Sequence, residues 1–190
     1  MPGKSVVIAR WGLWATAPVG LYASWLAMEA VHEAGHVLHA ALSGGRVAHV
    51  ELPWLGFSRT DLAVNPSPRF VAWGGPVWGA AAPLLVWLLW AAAFRRRGRW
   101  EQISGRALQF FAGFCLVANG AYLGVGWMDR AGDAGDLIRR GTPVGVLILF
   151  GAVATGAGLW LWHRLGLGPS RQRNAEEDPA NQVNRQSRRA

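Results

Sequence analysis

The stretch VHEAGHVLHAALSGG, residues 31–45, sets His32 and His36 four residues apart with Glu33 beside the first. On a helix those histidines are one turn apart and share a face. Two imidazoles at that spacing can grip one metal ion, and Glu33 can accept the proton of an attacking water. Zinc suits the set: two nitrogens, a third protein ligand, and a fourth position left for water. A helix whose histidines only bond their neighbours is the plainer reading. It leaves the cost of three ionisable groups in an apolar segment unexplained.

A third ligand must come from elsewhere. Outside the C-terminal tail, and apart from Glu29 and Glu33, the acids are Glu51, Asp61, Glu101, Asp129, Asp133 and Asp136. Glu101 lies in an Arg-rich stretch and reads as a solvated partner. Glu51 and Asp61 read as exposed. The segment MDRAGDAGDLIRRG brings three aspartates close together, with Asp133 and Asp136 one helical turn apart. One of these two can bind the metal while the other caps a helix or pairs with Arg139 or Arg140. His39 is a rival ligand, but three ligands from one short helix strain a tetrahedron, so a supporting or pocket role suits it better. His49 reads as a surface histidine and His163 as an interfacial anchor. Glu29, one turn before Glu33, reads as orienting a ligand histidine or as a polar helix contact.

The elements that must position these groups are apolar. Hydrophobic residues make up 52% of the 190-residue chain and charged ones 16%, against roughly 25% charged in soluble domains. Twelve tryptophans and a net charge of +8 accompany them. The basic residues collect in short stretches between apolar runs, which fits loops facing lipid head groups. They do not form the basic, aromatic-laced polar stripe of a nucleic-acid binder. All but one of the basic residues are Arg, and with the Ala and Gly excess this suggests a GC-rich bacterial genome. The single cysteine, Cys115, sits in an apolar run and reads as a core or lipid-facing thiol.

The pattern predicts an α-helical membrane protein with about four transmembrane helices: 18–43, 70–94, 107–127 and 143–163. Pro18 reads as a first-turn residue of the first span, with 5–17 extending it or lying at the interface, and Gly44-Gly45 as its stop. A signal peptide is the competing reading of the N-terminus. Between the first two spans, RVAHVEL alternates and PWLGF reads as a turn, so a small β-hairpin is expected within 44–69. Residues 1–165 form the membrane-embedded core. Residues 166–190 form a polar tail whose composition predicts disorder. Basic residues concentrate on the side shared by the N-terminus, the 95–106 loop and the tail, which places both termini in the cytoplasm.

With these residues placed, the chain resembles the site-2 protease family of intramembrane zinc metalloproteases (peptidase family M50). HEAGHVLHAALSGGRV is similar to the family's H-E-x-G-H-x-x-x-A-x-x-x-G pattern, through His32, Glu33, Gly35, His36, Ala40 and Gly44. The expected hairpin stands where the family has a membrane-associated one. GGP at 74–76 resembles the G-P motif opening the next span. ANGAYLGVGWMDRAGDAGDLI is similar to the N-x-x-P … D-G segment. The resemblance implies zinc held by His32, His36 and Asp133 (alternatively Asp136), with Glu33 as the catalytic base. It implies substrate-strand contacts from Asn119, Gly75 and Pro76. The implied substrate is a transmembrane or membrane-associated protein, cut within the bilayer of a bacterial cell. The chain departs from the pattern at Tyr122, where the family has Pro, at Ala134, where it has Gly, and at Gly79, where many members have Asn. These departures favour the alternative, a non-proteolytic relative that binds partner helices; the intact HEAGH favours the enzyme. The family usually turns the end of the HExxH helix and the hairpin toward the cytoplasm, opposite to the charge distribution here.

Overall fold

A computed structural model describes residues 4–94 and 98–166, with side-chain surroundings from residue 17 onward. The tail beyond residue 166 and the three arginines at 95–97 lie outside the described residues. The order is α1 (Lys4–Leu42), β1 (Arg46–Glu51), β2 (Arg59–Val64), α2 (Pro68–Ala93), α3 (Arg99–Gly126), α4 (Gly132–Arg139) and α5 (Val144–Arg164).

Three of the described helices, α2, α3 and α5, are long and apolar enough to cross a membrane. Their outward faces carry large apolar side chains, such as Leu85, Leu89, Leu149 and Val153. The first expected span corresponds to α1, which is not among those three. Glu29, His32, Glu33, His36 and His39 interrupt its apolar run. Pro18 lies inside α1 rather than in its first turn, because the helix already begins at Lys4. The other predicted boundaries agree to within a few residues, except that α3 starts at Arg99, eight residues before the expected 107.

Backbones approach closely where glycines meet. Between α3 and α5, a Cβ added at Gly124 would lie 2.9 Å from the Gly151 Cα, and one at Gly158 would lie 2.6 Å from the Gly113 carbonyl oxygen. Between α1 and α2, a Cβ on either Gly35 or Gly74 would run into the other's carbonyl. Lipid tails are as apolar as leucine, so helices associate through such close packing rather than by escape from water. The short α4 is pinned by Ala134 and Leu137, both fully buried with Ala72, Leu123 and Leu147. Cys115 is fully buried, a core thiol.

The hairpin is present and antiparallel, with Val50 opposite Thr60 and Glu51 opposite Arg59. It runs back along α1: Phe57 packs edge-on against Trp25, and the Tyr22 hydroxyl donates to the Trp54 carbonyl at 2.7 Å. Glu51 and Asp61 are exposed and share Arg59, as expected for its outer face.

Replacing Gly151 with leucine should destabilise the fold by about 1–3 kcal/mol, since no space exists against Gly124. Gly145→Ala, at a helical glycine with nothing within 4 Å, is the control and should be neutral or stabilising. Thermal unfolding in detergent compares the two variants.

Candidate metal centre

α1 brings His32 and His36 to one face, and α4 carries Asp133 to meet them. His32 Nε2 lies 2.9 Å from Asp133 Oδ2, His36 Nε2 lies 3.3 Å from Asp133 Oδ1, and the two Nε2 atoms are 3.2 Å apart. Both histidines are buried, and Asp133 is 15% exposed. Asp136 does not join them. It is half-exposed and pairs with Arg139 on its own helix.

The other ring nitrogens fix how the histidines point. Asn119 donates its Nδ2 to the Cys115 carbonyl at 2.9 Å, which leaves Oδ1, a pure acceptor, facing His32 Nδ1 at 2.7 Å. His36 Nδ1 lies 2.8 Å from the Val71 carbonyl, also a pure acceptor. The Gly75 amide approaches the same nitrogen at a longer 3.3 Å, so the Val71 contact sets the tautomer. Each Nδ1 therefore carries the proton, and each Nε2 presents a lone pair to the shared point. Two such lone pairs and a carboxylate repel one another unless a cation or an added proton lies among them. In a tetrahedral zinc site with bonds of about 2.0–2.1 Å, neighbouring ligand atoms stand roughly 3.3 Å apart. The separations found here are close to that edge, so this donor set fits zinc.

Burial by itself would raise the Asp133 carboxyl pKa, but when an added proton lies on the imidazoles, His32 and His36 outweigh it and hold the value down to about 2. Asp133 thus stays an anionic donor at neutral pH. Its position is set from α3: the Asp133 amide donates to the Tyr122 hydroxyl at 3.1 Å. Beside it, Gly132 has φ +52°, and a Cβ there would collide with that hydroxyl. Tyr122, at the position where the family pattern has Pro, is therefore a strut for the Asp133 loop.

Gly75 and Gly79 explain themselves on the same terms. A Cβ at Gly75 would overlap both Nε2 atoms, so this glycine makes room for the centre. A Cβ at Gly79 would lie 2.5 Å from Asn119 Oδ1, so this glycine accommodates Asn119. Both ends of Asn119 are engaged within the protein. Pro76 is fully buried in α2.

Glu33 is 3% exposed and stands outside the three-residue cluster. Its Oε1 accepts from Ser58 Oγ at 2.7 Å and its Oε2 from Thr60 Oγ1 at 2.6 Å. A cavity of about 260 Å³ is lined by His32, Glu33, His36, Thr60, Tyr122 and Asp133 together. Arg59, Arg139 and Arg140 also border it, giving it a basic, water-facing side.

The remaining candidates separate cleanly. His39 Nδ1 faces the Phe70 carbonyl at 2.7 Å, its Nε2 accepts from Trp78, and its ring stacks on Phe70. It ties α1 to α2 and takes no part in the centre. Glu29 does not orient a ligand histidine, since Asn119 and Val71 hold those nitrogens. His49 and His163 are exposed. Sequence reasoning missed Ser58 and Thr60 as partners of Glu33. Their one available signal is two hydroxyl residues two positions apart where a strand begins. Compared with family models, curated proteins and solved structures, the chain finds no match.

Metal content should separate the two aspartates. Purified wild-type protein is expected to hold about one zinc per chain, Asp133→Ala to lose it and Asp136→Ala to keep it, by elemental analysis after dialysis. Loss in both variants, or in neither, would contradict the geometry above.

Proposed function

We propose that this chain is an intramembrane zinc metalloprotease that hydrolyses peptide bonds of transmembrane or membrane-associated proteins in a bacterial cell membrane. The observation that carries the reading is the convergence of His32, His36 and Asp133 at one point, with Glu33 in the same cavity. The resemblance of HEAGH, GGP and the Asn119–Asp133 segment to the site-2 protease pattern supports it.

In this reading α1 is a fourth span. Its polar residues Glu29, His32, Glu33, His36 and His39 are all buried within the bundle, while Val19, Leu21, Leu38 and Leu42 are exposed. Ionisable groups in a span are tolerated when they face inward and serve a site.

Zinc held by His32, His36 and Asp133 would supply Lewis acidity toward the scissile carbonyl and lower the pKa of a water. Glu33 takes the proton of the attacking water and delivers it to the leaving amine, so its carboxylate returns to its starting state. Ser58 and Thr60 hold that carboxylate in one orientation. Asn119 and the Val71 carbonyl keep the imidazoles in the metal-binding tautomer. A transmembrane helix cannot be cut while its amides are bonded internally, so the substrate must be drawn out locally. β2 pairs with β1 along one edge only, and its other edge can take up an extended chain by strand addition.

Glu33→Gln is expected to retain zinc and lose cleavage by roughly 10²–10⁴-fold. New protein termini appearing in membranes that express the chain provide the readout, with zinc measured on the same preparations. Full cleavage by the variant would sink the mechanism. Wild-type protein with zinc but no new termini would favour the partner-binding alternative. Ser58→Ala combined with Thr60→Val should leave zinc unchanged and slow cleavage about tenfold, as expected for mispositioning a general base.

A further inference from the structure

Glu29 is not used by the mechanism above, yet among the described residues it is a buried group with an unpartnered oxygen. It is 4% exposed, one helical turn before Glu33. The Ser58 amide bonds its carboxylate, and among the described residues its Oε2 has no partner at all. A buried acceptor left unpaired costs roughly 1–3 kcal/mol, more when charged. Such a group is retained where a ligand supplies the missing donor.

Glu29 lines a second cavity of about 50 Å³, whose apolar walls are Met28, Phe57 and Ala118. This cavity shares His32, Glu33 and Ser58 with the larger one. A peptide whose carbonyl sits at the metal centre therefore has an adjacent side chain within reach of Glu29. The Glu29 cavity is far smaller than the neighbouring cavity of about 260 Å³, which favours a short side chain. Glu33 cannot satisfy the free oxygen, since its carboxylate offers only acceptors.

We infer that Glu29 and the cavity it lines form a side-chain subsite beside the metal centre, which takes from the bound peptide a short residue carrying a hydrogen-bond donor, serine or threonine. This subsite presupposes the metal-dependent reading of His32, His36 and Asp133.

The test uses zinc-loaded, full-length protein in detergent and four dipeptide hydroxamates. The hydroxamate anchors on the metal, and the residue next to it is alanine, serine, leucine or lysine. Dissociation constants are measured by calorimetry. The seryl compound should bind the wild type about tenfold tighter than the alanyl one, the gain of one charge-assisted hydrogen bond. Glu29→Met, of similar shape but without an acceptor, should erase that preference. Glu29→Gln, which keeps a carbonyl acceptor, should preserve it. Equal affinity for the seryl and alanyl compounds would overturn the subsite while leaving the metal centre standing. Tightest binding of the lysyl compound would overturn it as well, in favour of a cation site. Failure of all four to bind would overturn the metal centre, and the subsite with it.

Discussion

Two imidazole lone pairs and one carboxylate are held within about a hydrogen-bond length of each other inside an apolar bundle. That concentration of acceptors is the constraint on which the remaining structure depends. In a medium of low dielectric, like partial charges repel far more strongly than in water. They persist at one point only if each is pinned from behind and a cation or an added proton lies in front. The pinning is visible residue by residue. Asn119 holds His32, the Val71 carbonyl holds His36, and Tyr122 holds the amide of Asp133. Each support comes from α2 or α3, so the centre built on α1 and α4 is only as rigid as the packing of four helices.

That packing depends on the absence of side chains. Gly35 against Gly74 brings α1 and α2 so close that the face of α2 can reach the histidines. Gly75 then leaves the space the two Nε2 atoms occupy. The α3–α5 seam serves a different end. It fixes α3 through Gly113, Gly120 and Gly124, and α3 carries both Asn119 and Tyr122. In lipid, where no hydrophobic force drives helices together, close backbone approach is what such positions gain. Two single residues fit this scheme: Gly79 clears Asn119, and Tyr122 supplies a hydroxyl that the Asp133 amide uses.

The hairpin does more than connect α1 to α2. It turns back along α1, and the residues on one face of it meet that helix in order: Thr60 and Ser58 at Glu33, Phe57 at Trp25, and the Trp54 carbonyl at Tyr22. The hydroxyl partners of Glu33 and a wall of the smaller cavity therefore lie on one short segment. Any displacement of that segment would release both Glu33 oxygens at once.

Much of this was legible in the chain of residues itself. Helical spacing placed His32, Glu33 and His36 on one helix, apolar runs located α2, α3 and α5, and alternation in RVAHVEL located the hairpin. These are local properties, fixed by the 3.6- and 2-residue periods of helix and strand. The choice between Asp133 and Asp136 was not local. Both lie on one short helix, and only the packing of Ala134 and Leu137 into the bundle decides which carboxylate faces inward. Long-range pairs escaped for the same reason. Nothing near Ser58 or Thr60 in sequence announces Glu33, 25 and 27 residues away, and nothing near Asn119 announces His32. Residue types and periods determined which groups could do chemistry. The tertiary fold decided which of them meet, because contacts between separate helices are set by where backbones can approach, and that depends on every glycine in the seams at once.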